Sequence, residues 1–290
     1  MLELDENKNV IYKLTEEERG LIKEHKLFYS DLFHFGNNIL DNGFKETIQD
    51  YELTIYSMIY RILELLDTLK IMTENSLINS GFLVLRPLIE VTAQLRYIIM
   101  DKDKDKVKER ATILQMLDIK RTAVDETAFY NSMNNQECYK DYVHIIRDEK
   151  KYLEWYSYCE RKKITIKQLF DLIGWQELYQ NLYSPLCIET HEINHLETNI
   201  ELKNVINDKR FEFKPFRGFE NHVLLLNSVI TIMIYSFHDV VYTYGNKDLK
   251  CEWELWEKKA IKYIKENHSI HNNIAKKINP LIKWFGKVDF

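Results

Sequence analysis

Apolar residues recur along this chain at the three-and-four spacing of an α-helix, almost from end to end. Between Thr15 and Leu40, the run Thr15-Glu16-Glu17-Glu18 reads as a capping box, and Leu21, Phe28, Leu32 and Phe35 follow at helical spacing. Asn42-Gly43 marks a stop. Lys45 to Thr73 carries one stripe of Tyr51, Ile55, Ile59, Ile62, Leu66 and Leu69. Ser76 to Met100 is a third helix, apolar on most sides. The run Asp101 to Lys106 alternates charge and reads as a solvated turn or the start of the next helix. Val107 to Tyr130 and Glu137 to Cys159 read as the fourth and fifth helices. Thr165 to Ile173 is a short one closed by Gly174.

Trp175 opens a further helical stretch. It is interrupted at Ser184-Pro185, where Ser at N-cap and Pro at N1 would restart the helix. Asn207 to Phe216 alternates weakly through Phe211 and Phe213, as a loop or a short extended piece. Phe219 to Tyr244 is a buried helix, Cys251 to Lys277 an amphipathic one, and Pro280 begins a tail. The fold expected is all-α, an irregular bundle of about eight to ten helices. One domain is expected over 1–290, with a helical appendage at 1–43 and a C-terminal helix within 245–290.

Composition agrees with the period. Only 8 Gly and 4 Pro interrupt 290 residues, and 45% of them are hydrophobic, enough for a sizeable core. The formal net charge of −5 argues against a protein that grips duplex DNA, while leaving room for a small basic cleft that takes RNA or a nucleotide. The four cysteines, Cys138, Cys159, Cys187 and Cys251, form no C-x-x-C pair, which suits a reducing cytoplasm. The acidic, polar N-terminus is no signal peptide. The most apolar run, Val223 to Phe237, falls short of a membrane span and contains Asn227, Ser228, Thr231 and Ser236. No membrane partner and no cofactor are expected. Trp253 and Trp256 on the last long helix suit a homodimer face or core packing equally well.

Three constellations carry candidate chemistry. In the third helix, Arg86, Glu90 and Gln94 stand at i, i+4 and i+8 and share a face. On so apolar a helix they form either a structural ion pair or the polar floor of a cleft. Pro87 biases Arg86 away from helical geometry, so a kink or a helix start is expected there. The second set is Cys187, His191 and His195, again four residues apart. His191-Glu192-Ile193-Asn194-His195 matches the H-E-x-x-H pattern of zinc hydrolases, in which two imidazoles hold the metal and the Glu serves a bound water. A third ligand, Glu220 or His222, stands in no recognisable context. The third set is Arg217 with His222, an R-x-x-x-x-H spacing of the kind HEPN ribonucleases use on a scissile phosphate. Arg19 and His25 match it more loosely, and a surface Arg beside a helix-terminal His is the plain alternative.

Two stretches together resemble a bacterial family of domains of unknown function, number 5677. They are Arg86-Pro87-Leu88-Ile89-Glu90-Val91 with Leu95, Tyr97 and Ile98, and Leu182-Tyr183-Ser184-Pro185-Leu186-Cys187-Ile188-Glu189-Thr190-His191. The resemblance spans roughly 50–244. It implies an all-α fold whose polar centre holds Arg86, Glu90 and His191, and it makes the H-E-x-x-H match accidental. Helical proteins of this look are associated with phage-defence and toxin loci, and some resemble HEPN ribonucleases. The implied function is a metal-independent RNA-cleaving effector. Arg86, Glu90 and His191 would be catalytic, and Arg217, His222 and Gln94 would bind substrate. A non-catalytic helical binding or sensor module with the same polar network is the alternative.

Overall fold

The computed structural model describes residues 16–43, 49–75, 77–147, 152–190, 200–205, 208–213 and 222–275. The long helices are α1 (Glu16–Gly43), α2 (Asp50–Glu74), α3 (Ile78–Ile99) and α4 (Lys104–Thr122). Four short ones follow: α5 (Glu126–Asn134), α6 (Val143–Arg147), α7 (Trp155–Cys159) and α8 (Ile166–Leu172). Next comes an interrupted helix made of α9 (Gln176–Leu178), a π-turn (Tyr179–Tyr183) and α10 (Ser184–Thr190). A hairpin of β1 (Ile200–Val205) and β2 (Asp208–Phe213) precedes α11 (His222–Tyr244) and α12 (Lys247–Ala275). With 176–190 counted as one, the described residues hold eleven helices, so the fold is an irregular all-helical bundle with one small hairpin attached. The antiparallel hairpin sets Leu202 opposite Phe211, so the described part of the weakly alternating stretch, Asp208–Phe213, is extended.

The apolar stripes read from the sequence become one continuous core. It joins Phe28, Leu32 and Phe35 of α1, Ile55, Ile59 and Leu66 of α2, Leu85 and Ile89 of α3, and much of α11. At the crossing of α3 and α11, a Cβ on Gly81 would stand 2.6 Å from a methyl of Leu225, so a larger residue there would have to displace that side chain. Helix α11 keeps its buried hydroxyls satisfied internally: Ser228, Thr231 and Ser236 donate to the carbonyls of Leu224, Asn227 and Ile232. By length and composition Val223–Tyr244 could cross a membrane, longer than the sequence run suggests. Of its most apolar window, 83% is buried inside the protein. Trp253 and Trp256 are buried against Phe28 and Phe35 of α1, so they form core and not a dimer face.

Several boundaries differ from the periodic reading. The expected fourth helix breaks after Thr122, because Asp125 takes the amides of Thr127 and Ala128 and starts α5. Among the described residues, the stretch expected as the fifth helix holds turns and two short helices, α6 and α7. The charged run 101–106 is a bend that leads into α4, with Asp103 as the N-cap accepting from the amide of Asp105. Thr165, expected as the first residue of α8, is its N-cap, and Gly174, at φ +76°, closes the helix as expected.

Candidate functional site

Helix α3 places the first constellation. Pro87 has no amide to offer Leu83, yet the helix runs unbroken from Ile78 to Ile99, so Arg86 lies inside it and not at a start. The four-residue spacing then brings Arg86 Nε to 3.0 Å from Glu90 Oε1. The same carboxylate oxygen accepts the phenol proton of Tyr183 at 2.6 Å, from a residue 93 positions along the chain. The Arg86 guanidinium lies over the Tyr183 ring, 5.9 Å from its centre. Gln94, the third member of the row, accepts from the indole N–H of Trp155 at 2.9 Å.

Tyr183 reaches Glu90 because the chain loses α-helical register there. The amide of Ser184 bonds the carbonyl of Tyr179, five residues back. Pro185 has no amide for the carbonyl of residue 181, and its ring crowds that position. A π-turn accommodates both. An α-helix does resume at Ser184, as α10, but Ser184 is not its N-cap: it sits in ordinary helical geometry, φ −61° and ψ −44°, and continues the π-turn without a break. Phe170 and Tyr179 pack on the Tyr183 ring at 5.1 and 5.5 Å and fix its plane.

The electrostatics follow from this packing. Burial pushes the Tyr183 phenol well above its ordinary value, and the bond to Glu90, the charge of Glu90 and the nearby Cys187 act in the same direction. Tyr183 is thus a hydrogen-bond donor and not a base. Burial works against the charge of Arg86, but the bond to Glu90 and the neighbouring Cys187 and Tyr183 outweigh it and raise its pKa. Burial also raises Tyr156, helped by Glu154 and Glu90, so a second phenol stands protonated near the same carboxylate. The Arg86 and Glu90 side chains remain 27% and 32% exposed, so the pair lies at the edge of the core.

The structure brings Arg86 and Glu90 together and turns Gln94 to a separate partner. Cys187 is half-buried on α10, four residues past Tyr183. His191, Glu192, His195, Arg217 and Glu220 lie outside the described residues. His222 is the first residue of α11, with its side chain likewise undescribed. Arg19 is exposed while His25 is buried, with Tyr263 Oη at 3.3 Å from its Nε2, so these two do not form a phosphate-handling pair. Among the described residues, no group of three or more His, Cys, Asp or Glu could hold a metal ion.

Sequence reasoning passed over Tyr183 as a site residue, although it stood in the quoted 182–191 motif. It also passed over a second cluster. Arg96 donates from Nε to the carbonyl of Ile173 at 3.2 Å and from Nη1 to that of Tyr235 at 3.0 Å. It also pairs with Asp239 and lies over the Trp175 ring.

A polar row at the edge of the core, met by a phenol from a π-turn, gives this helical bundle an Arg–Glu–Tyr cluster. The profile of a family of unknown function, DUF5677, matches residues 52–210, more than half of the chain, and the chain belongs to that family. The match covers Arg86, Glu90, Gln94, Tyr183, Cys187 and His191. It stops short of Arg217, His222 and α11, and so is narrower than the span expected from the motifs. Neither the curated proteins nor the solved structures contain a match to this chain.

Proposed function

We propose that this protein is a metal-independent RNA-cleaving effector of the phage-defence or toxin kind, with Arg86 as the group that takes the scissile phosphate. One observation carries the reading: Arg86 is held by Glu90 on one side and the Tyr183 ring on another, yet stays 27% open to solvent. A guanidinium fixed in this way is suited to a phosphate, since little ordering remains to be done when the anion arrives. His191 follows Thr190, the last residue of α10, whose own turns carry Cys187 beside Tyr183. A histidine titrates near neutral pH and suits proton transfer. The step is a transesterification. The 2′-oxygen bonds to phosphorus, His191 takes its proton, and the P–O5′ bond breaks. Water protonates the leaving 5′-oxygen, and a 2′,3′-cyclic phosphate remains. Arg86 stabilises the charge gathered on the phosphoryl oxygens.

A second reading has its own observation. Gln94 and Glu90 each bond a buried aromatic donor, Trp155 and Tyr183, so the polar row also braces α3 against α7 and the π-turn. On that reading the protein is a non-catalytic binding or sensor module. One experiment separates the two. The purified chain is incubated with a fluorogenic single-stranded RNA in the presence of EDTA, beside the variants Arg86→Ala and His191→Ala. The effector reading expects cyclic-phosphate products and a loss of at least about a hundredfold in each variant. It is abandoned if no enzyme concentration gives cleavage and the variants change only the melting temperature.

A further inference from the structure

We propose that Tyr183 is the positioning residue of this site, holding the Arg86 guanidinium for one phosphate group; the phosphate as ligand rests on the reading above. The argument begins at a single atom. Glu90 Oε1 accepts both the Arg86 Nε–H at 3.0 Å and the Tyr183 O–H at 2.6 Å. Guanidinium and phenol are therefore tied through one oxygen, and rotation of the carboxylate moves both bonds at once. Short bonds to a charged acceptor are the stronger kind. The ring that carries the hydroxyl also lies under the guanidinium, so Tyr183 contacts Arg86 by its face and reaches it again through Glu90.

The phenol is itself held. Tyr183 is 4% exposed, with Phe170 and Tyr179 against its ring. The bond from Ser184 to Tyr179, five residues back, sets the direction from which it approaches α3. A π-turn is an uncommon piece of backbone. Here it serves to aim one hydroxyl at one carboxylate.

Tyr183→Phe removes the hydroxyl, with its bonds to Glu90 and Cys187, and keeps the ring, so the guanidinium retains its aromatic support and loses the second hold on Glu90. Tyr97→Phe is the control. Tyr97 is a fully buried phenol on α3 that donates to Glu160 at 2.7 Å and has no bond to Arg86 or Glu90. The full-length protein, labelled with ¹⁵N-arginine, is titrated with inorganic phosphate while the Arg86 Nε–H signal is followed. That signal is assigned by its absence in Arg86→Lys.

Phosphate is expected to shift the signal in the wild type. Tyr183→Phe should weaken phosphate binding about tenfold and speed exchange of the Arg86 Nε–H with water. Tyr97→Phe should lower the melting temperature and leave phosphate affinity within about twofold of the wild type. An unresponsive Arg86 signal in the wild type overturns the proposal, as does a Tyr183→Phe protein that binds phosphate as the wild type does. If phosphate binds and Tyr183→Phe weakens it, but RNA is not cleaved, the cleavage reading falls and the positioning role stands.

Discussion

Glu90 shows what a single side chain contributes here. Its Oε1 is the meeting point of a cation and a phenol. Glu90→Gln keeps an oxygen that accepts both bonds and loses the charge. Glu90→Leu removes the Arg86 carboxylate partner and leaves the buried Tyr183 hydroxyl with only the weak Cys187 thiol beside it. An unsatisfied buried donor costs more than a missing bond is worth. We expect Glu90→Leu to destabilise the protein by about 2–3 kcal/mol and Glu90→Gln by about 1 kcal/mol, discounted because the pair is partly solvated. Urea unfolding of the two variants measures the gap, and equal midpoints would show that the network adds little. The Arg86–Glu90 half of this cluster was legible in the sequence, because an i, i+4 pair on a helix is a local contact. The Tyr183 half was not. Its approach depends on how a π-turn 93 residues away lies against α3, and no spacing rule reaches that far.

At the scale of elements, period and punctuation compete. The apolar rhythm from Val107 to Tyr130 continues without a visible fault, and a single long helix is its natural reading. The chain instead bends at residues 123–125. Asp125 Oδ1 accepts from Thr127 N at 2.7 Å and Ala128 N at 3.1 Å, capping a new helix. An aspartate between apolar stripes is as common on a helix surface as at a cap, so the stripe alone could not mark the break. Asp125→Ala removes both bonds and is expected to cost about 1 kcal/mol. Amide exchange should show faster opening of α5 while α4 stays protected, whereas equal protection of α5 in the variant and the wild type would mean that packing alone sets the boundary. Gly174 closes α8 where the sequence reading put the stop, whereas the N-cap expected at Ser184 is not one. Thr165 with Gln168 and the glycine at 174 bracket α8 as the capping rules require.

Across the whole molecule, Arg96 joins what the family segment contains to what lies beyond it. Arg96 stands on α3, inside the matched residues, and its partners Tyr235 and Asp239 stand on α11, outside them. With the carbonyl of Ile173 it closes a corner among α3, the end of α8 and α11. Asp239 is the titratable member of this strap. Burial raises its pKa above the ordinary 3.8, with Arg96 and His238 opposing that shift only in part. A carboxyl whose folded pKa is raised binds its proton more tightly in the native state. Its contribution to stability is full below 3.8 and is lost as pH rises through the raised value. Asp239→Asn keeps an oxygen for Arg96 and never ionises. The wild type should therefore lose stability relative to Asp239→Asn as pH rises from about 4 toward neutrality, and above the raised value the difference should level off. Urea midpoints of both proteins across that range test the sign directly. If the wild type instead gains on the variant with rising pH, the charge pair with Arg96 outweighs the burial of Asp239, and α11 is held to the bundle by ionic attraction in place of packing around a reluctant carboxylate.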